Sequence, residues 1–183
     1  MRKVILIICL MSLASVTQAR SVLIDGGDSA NGGFGGPQFG VTRFNGDTEI
    51  LAGGGGAWLI NHQFYLGGRG SGVATRLAAE DVEFGYGGLW AGYIFKPDAV
   101  VNMSFDILVG GGGLHKSESG SYGATNRVFV VEPALSMRIN MAKYMSTAIG
   151  AAYRYVEGSD HAVLTDSALR GASAYVRFEF GKF

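Results

Sequence analysis

Cysteine and proline are nearly absent from this sequence. Among 183 residues there is one cysteine, Cys9, and there are three prolines. A single thiol excludes an internal disulfide framework, and Cys9 lies in an apolar N-terminal run that reads as an export signal. The mature chain therefore offers no thiol chemistry. The scarcity of proline is compatible with long, uninterrupted strands.

The sequence also lacks an excess of charge of either sign. Fifteen Lys and Arg residues balance fifteen Asp and Glu residues, so the composition gives no electrostatic argument for nucleic-acid binding. Hydrophobic residues make up 48% of the chain, yet after residue 19 no apolar run approaches the roughly 20 residues of a spanning helix. Such an apolar chain must bury its surface in a core or face lipid by other means.

The N-terminus has the three parts of a secretory signal. Arg2 and Lys3 are followed by the apolar run 4–13, and small residues precede a plausible cleavage site after Ala19. We therefore expect residues 1–19 to be a signal peptide. Residues 20–33 are then expected to form an N-terminal linker, and residues 34–183 are expected to form one β-barrel domain.

Long segments with period-2 alternation dominate the rest of the chain. In residues 128–140, Phe129 and Leu135 share one face, while Glu132 and Arg138 share the other. The same alternation recurs in residues 101–109, 145–155 and 172–180. These segments are longer than the roughly 5–6 residues of a typical globular strand. They match the roughly 9–11 residues with which a β-strand crosses a membrane.

Eight such segments predict an all-β fold, an eight-stranded antiparallel up-and-down transmembrane β-barrel. Their approximate ranges are 34–44, 49–60, 64–75, 82–95, 100–113, 127–140, 144–156 and 168–181. Short connections at 61–63, 96–99 and 141–143 alternate with longer polar ones at 76–81, 115–126 and 157–167, while the first connection, at 45–47, is tight. This layout puts the longer loops outside the cell and both termini in the periplasm.

Runs of glycine interrupt several of the predicted strands, as at 53–56 and 110–113. Neither run has the Lys and Ser/Thr of a phosphate-binding loop, and neither opens a helix. In a small barrel, glycine permits the bending that closure requires and leaves room for bulkier interior groups. We expect those groups to form an interior lattice of ion pairs, because charges enclosed by a membrane barrel must pair or meet water. The candidates are Arg69, Glu83, Asp106, Glu132, Arg138, Arg154, Arg177 and Glu179.

The signal peptide, the eight amphipathic strands and the aromatic-rich final strand "AYVRFEFGKF" resemble small outer-membrane barrels typified by outer membrane proteins A and X. The glycine-rich run that includes "GGGGAWLINHQFYLGG" also resembles a group of uncharacterised bacterial outer-membrane barrels. One position departs from the pattern. Family members end on an outward aromatic residue, whereas Phe183 shares parity with the polar face, which indicates either a short tail or a register shift near Gly181.

The resemblance implies an outer-membrane protein with a structural or surface-interaction role that is not a wide pore. Outer-membrane lipid and the barrel-assembly machinery would be its partners, with an extracellular ligand at loops 115–126 and 157–167. It implies no enzyme activity, and no catalytic, cofactor-binding or metal-binding residue is assigned.

Two alternatives rest on individual residues. His115 and Ser117 have the His-x-Ser spacing of some eight-stranded lipid A deacylases, with Glu118 or Glu132 as the acidic partner. His161, beside Asp160, could join His115 in a metal site, although no ligand spacing supports it. His62 falls in a predicted turn and is expected to have no special role.

A third alternative is a soluble periplasmic β-barrel that binds an apolar ligand inside. In that fold Glu132, Arg138 and Arg177 would point outward, whereas in a membrane barrel they point inward. The membrane interpretation also predicts aromatic residues at the lipid–water interfaces. The candidates for this girdle are Trp58, Tyr65, Trp90, Tyr93, Tyr153 and Tyr155.

Overall fold

The fold is an eight-stranded antiparallel β-barrel that closes on itself, as a computed structural model shows. The structure describes residues 31–44, 47–74, 82–116, 126–159 and 165–183. The strands are β1 (Gly32–Phe44), β2 (Asp47–Ile60), β3 (Phe64–Val73), β4 (Val82–Phe95), β5 (Val101–Lys116), β6 (Asn126–Ala142), β7 (Met145–Glu157) and β8 (Gly171–Lys182). Each pairs with its sequence neighbours, and β8 pairs with β1. The predicted fold class is confirmed.

The two ends of the barrel differ in their connections. At one end the strands join through short turns around His62, Lys96–Ala99 and Lys143, and the described chain also begins and ends there, at β1 and β8. We call this the turn end. At the other end, the loop end, strands β1, β3, β5 and β7 finish. Apart from the tight link from β1 to β2, which the prediction already excepted, the intervals between strands are longer at the loop end. The predicted alternation of short and long connections is therefore confirmed along the chain.

Two strand boundaries near the loop end differ from the prediction. β5 runs on to Lys116, so His115 belongs to a strand and not to the predicted loop 115–126. β8 begins at Gly171 and not near residue 168, because Asp166–Leu169 forms a one-turn helix, α1. The side chains of Ala168 and Leu169 are buried, and this burial explains a helix that alternation alone does not predict.

The barrel closes without the register shift considered for its last strand. β1 and β8 keep one register from Thr42 opposite Ser173 to Gly33 opposite Lys182. Phe183 continues the inward frame, and its ring stacks on Phe34 with centroids 5.6 Å apart. The terminal aromatic residue therefore packs inside the barrel at the turn end.

The predicted division of the strand faces is confirmed. Along β6, Glu132, Ser136 and Arg138 are buried, while Phe129 and Leu135 are exposed. The exposed apolar side chains cover the outside of the barrel. They include Phe39, Val41, Ile50, Leu66, Leu89, Met103, Phe105, Val109, Leu135, Met137 and Ile149.

Glycines from neighbouring strands meet across the sheet. Gly56 lies opposite both Gly35 and Gly68, and Gly70 lies opposite both Gly54 and Gly87. Inward and outward glycines differ in the space around them. A Cβ atom added to the inward Gly67 would collide with the backbone oxygen of Gly56, whereas one added to the outward Gly68 would have its nearest neighbour at 3.7 Å. Inward glycines thus allow the strands to approach closely, as the predicted curvature requires.

Adjacent glycines on opposite faces give a matched test of this packing. Gly67→Ala is expected to destabilise the barrel by about 1–3 kcal/mol, because the β2–β3 backbones must move apart. Gly68→Ala should change the unfolding free energy by less than about 1 kcal/mol. Urea titration of the two refolded variants measures both values. Equal losses would show that steric closeness on the inner face does not explain the glycine.

Candidate functional site: the charged interior of the barrel

The interior lattice forms where the sequence predicts it. Seven of the eight candidate charges are inward, and none of these seven residues is more than 3% exposed. They are Arg69, Asp106, Glu132, Arg138, Arg154, Arg177 and Glu179. The eighth candidate, Glu83, lies in β4, but its side chain falls outside the described part of the structure.

Asp106 on β5 is the centre of the lattice. Its carboxylate accepts hydrogen bonds from the Tyr65 hydroxyl at 3.0 Å and from the Trp90 indole Nε1 at 2.9 Å. It also pairs with Arg69 at 3.5 Å and with Arg177 at 3.7 Å. Three other strands therefore contribute partners to one buried carboxylate.

Charges alternate on both sides of Asp106. Arg69 reaches on to Glu132 at 2.7 Å, and Arg177 reaches on to Glu179 at 2.8 Å. Glu179 in turn pairs with Arg138 at 2.5 Å. The series Glu132–Arg69–Asp106–Arg177–Glu179–Arg138 alternates in sign throughout. Such alternation gives each buried charge an opposite neighbour, which offsets part of the cost of removing it from water.

Arg154 is held differently, among aromatic rings near the loop end. Its guanidinium lies 4.2 Å from the ring centroid of Phe44, with Phe84 and Tyr86 further out. Its Nε donates to the backbone oxygen of Leu169 at 2.9 Å. Arg154 therefore ties α1 to the barrel wall through a hydrogen bond and stacked rings.

Apolar layers close the interior above and below the lattice. The layer at the loop end is formed by Phe44, Leu51, Phe84, Tyr86, Leu108, Leu114, Val128, Val130, Val156 and Leu169. The layer at the turn end is formed by Phe34, Ala57, Leu59, Tyr65, Trp90 and Ile94, with Phe183 packed against it. A cavity of about 350 Å³ at the turn end reaches Arg138 and Phe183. The rest of the lattice is enclosed, and the middle of the barrel is filled, as expected for eight strands.

The girdle prediction is wrong for two of its six aromatic residues. Tyr65 and Trp90 are each 1% exposed and face inward, where both donate to Asp106. Trp58, Tyr153 and Tyr155 face outward as predicted, and Tyr93 is half-buried on the outer face. A phenol or an indole suits an interior site as well as a membrane interface, because each joins an apolar ring to a hydrogen-bond donor.

Glu132 lies far from the backbone position of His115. Glu132 lies opposite Leu108 in the β5–β6 ladder. On β5, Leu108 precedes His115 by seven positions, which corresponds to roughly 23 Å along a strand. The Glu132 carboxylate is engaged by Arg69 and by the Tyr86 hydroxyl, and the residue is 1% exposed. Glu132 is therefore a lattice residue and not the acidic partner of a surface site. Ser117 and Glu118 lie outside the described residues, as does the His115 side chain.

The remaining histidines give no metal centre in the described part of the chain. His161 and Asp160 lie outside it, and His62 occupies the predicted turn with a φ of 57°. Within the described ranges, no cluster of three His, Cys, Asp or Glu residues has the geometry of a metal site. In the same ranges, no helix has both the length and the apolar character needed to cross a membrane.

Solved structures share this fold at low sequence identity. Neisserial surface protein A has a TM-score of 0.60 at 14% identity, with 85% of this chain and 98% of that chain covered. The N-terminal β-barrel domain of Pseudomonas aeruginosa OprF gives 0.58 at 12%, with 84% and 99% covered. Ail of Yersinia pestis, solved with the heparin analogue sucrose octasulfate, gives 0.53 at 14%, with 85% and 99% covered.

These three proteins are small eight-stranded outer-membrane barrels. At 12–14% identity the likeness establishes the fold. No protein-family model matches the sequence, and no curated protein is similar to it.

Proposed function

We propose that this chain is a bacterial outer-membrane barrel that does not conduct solutes and that displays loops at the cell surface. The observation that carries the proposal is that the inner and outer faces of the barrel are the reverse of those in a soluble protein. Buried charges occupy the inside, while large apolar side chains such as Leu135 and Ile149 are about half exposed on the outside. A barrel of this kind is stable where lipid covers its outer face.

The same arrangement is opposite to that of a soluble barrel with an apolar ligand inside. Glu132, Arg138 and Arg177, the residues that distinguish the two, all face inward. In water, the apolar outer face would be a continuous exposed patch far larger than soluble monomers tolerate. The orientation of these three residues therefore disfavours the soluble alternative.

A structural and surface-interaction role fits the filled interior better than transport or catalysis does. Enclosed charges and two apolar layers leave the connections at the loop end as the parts that can meet external molecules. Two of the longer predicted connections, at 115–126 and 157–167, belong to that end. Ail, whose fold this chain shares, was solved with a sulfated sugar, and a comparable extracellular ligand is part of the proposal.

Export and assembly follow from the same location. The proposal includes cleavage after Ala19, insertion by the barrel-assembly machinery and lasting contact with outer-membrane lipid. Both chain ends would then lie in the periplasm, since β1 and β8 reach the turn end together. No enzyme activity is proposed.

Surface labelling of whole cells tests the proposed orientation. An epitope tag inserted after Gly120 should be detected on intact cells, because the connection belongs to the loop end. A matched tag after Lys143, at the turn end, should be detected only once the outer membrane has been permeabilised. The reverse pattern would invert the orientation, and labelling of neither tag without permeabilisation would refute surface display.

A further inference from the structure

A groove on the outer face of the barrel lies at the turn end, over strands β4 to β6. Its volume is about 910 Å³. The walls are the outward side chains of Phe95, Met103 and Leu135, together with Tyr93. Phe95 lies opposite Met103 in the β4–β5 ladder, and their rows continue the apolar outer band. The groove thus opens from the face that the proposed function assigns to lipid.

The rim of this groove is the β4–β5 turn, which the barrel holds in one shape. The amide of Asn140 donates to the backbone oxygens of Pro97 and Ala99 at 3.0 and 2.9 Å. Asn102 also donates to Ala99, at 3.2 Å. Two inward side chains therefore hold the turn in place before any ligand arrives, which lowers the cost of ordering it on binding.

Two side chains of opposite charge lie on this rim. Lys96 and Asp98 both line the groove, and neither side chain is buried. In the described part of the chain, no ion pair engages either of them. The Lys143 ammonium at the β6–β7 turn differs, because it lies 5.3 Å from the centroid of the Tyr144 ring.

We propose that this groove binds a membrane phospholipid whose headgroup carries both a phosphate and a primary ammonium, as in phosphoethanolamine. The Lys96 ammonium would contact the phosphate and the Asp98 carboxylate the headgroup amine. The acyl chains would lie along Phe95, Met103 and Leu135. This inference rests on the proposed membrane location, and it adds a lipid chemistry that location alone does not specify.

The test measures which lipids stay with the folded protein. The mature chain is refolded into vesicles of equal parts phosphatidylethanolamine, phosphatidylglycerol and phosphatidylcholine, extracted in mild detergent and analysed by native mass spectrometry. The variants are Lys96→Gln and Asp98→Asn, with Lys143→Gln as the matched control. Resistance of the folded band to unfolding in cold SDS confirms that each variant has formed its barrel.

The wild type and Lys143→Gln should retain phosphatidylethanolamine roughly two- to fivefold above its vesicle fraction, the range that an exposed ion pair supports. Lys96→Gln should lower the total amount of phospholipid retained, because all three lipids lose the contact with their phosphate, while Asp98 still favours phosphatidylethanolamine. Asp98→Asn should shift the preference towards phosphatidylglycerol, because the phosphate keeps its partner while the amine loses one. Retained lipids in the vesicle ratio would overturn the proposal, as would an equal loss in Lys143→Gln.

If the wild type fails to enter vesicles at all, the membrane location fails along with this site. A folded, inserted wild type without lipid preference refutes only the phospholipid site. The two failures are therefore distinguishable in one experiment.

Discussion

Asp106→Ala is expected to lower the free energy of unfolding by about 3–5 kcal/mol, the cost of removing one partner from a buried charged group. The substitution leaves Arg69 and Arg177 each without one of their carboxylates. It also removes the acceptor for the Tyr65 hydroxyl and the Trp90 indole. Because all four partners are almost fully buried, water cannot replace the missing oxygen atoms.

The control for this prediction is Asp98→Ala, which removes the same side chain from a turn at the barrel surface. Its effect should stay within about 0.5 kcal/mol, as for most surface substitutions. Reversible urea titration in detergent without phospholipid measures both variants. A loss below about 1 kcal/mol for Asp106→Ala would show that the lattice does not depend on this carboxylate.

Val176→Arg tests the outer face and should destabilise the barrel by about 2–4 kcal/mol, the cost of a cation near the bilayer midplane. Val176 lies on the outward face of β8, between Phe39 of β1 and Ile149 of β7, both of which are exposed. The two ladder neighbours of Val176 carry no carboxylate to pair with the guanidinium where lipid covers this face.

The control for Val176→Arg is the same substitution at a different depth in the membrane. Phe180→Arg places the same charge on the same face of β8 but near the turn end, where the charge should cost only about 0–1 kcal/mol. Refolding titrations of both variants in the same bilayer compare the two depths. Equal stabilities for Val176→Arg and the wild type would mean that this face does not contact hydrocarbon.

Side-chain alternation made most of the fold predictable. In β5, β6 and β8 the inward charges fall at alternate positions between apolar residues, so the sequence alone could assign Asp106, Glu132 and Arg177 to the inner face. A one-residue slip would put all of them on the outer face, and this penalty fixes the register. The sequence could not, however, show which charges pair, because most partners come from non-neighbouring strands.

For some aromatic residues, the alternation of the sequence does not identify which face of the strand they occupy. Trp90 follows the glycine-rich stretch of β4, where small residues on both faces remove the contrast that identifies a face. Its orientation is determined by Asp106 and by the ring of Tyr65, whose centroid lies 4.8 Å away. The sequence does not predict helix α1 for a similar reason. Leu169 is buried only because the closed sheet forms a barrel end against which it packs.

The two tryptophans of the wild-type protein allow the most direct test of the central claim that lipid covers the outside while the inside is sealed. Trp58 is 54% exposed on the outer face, and Trp90 is 1% exposed inside. In vesicles containing phospholipids brominated on the acyl chains, the emission from Trp58 should be quenched, while that from Trp90 should persist. Aqueous acrylamide should quench little of either. Strong quenching by acrylamide without quenching by brominated lipid would contradict the account.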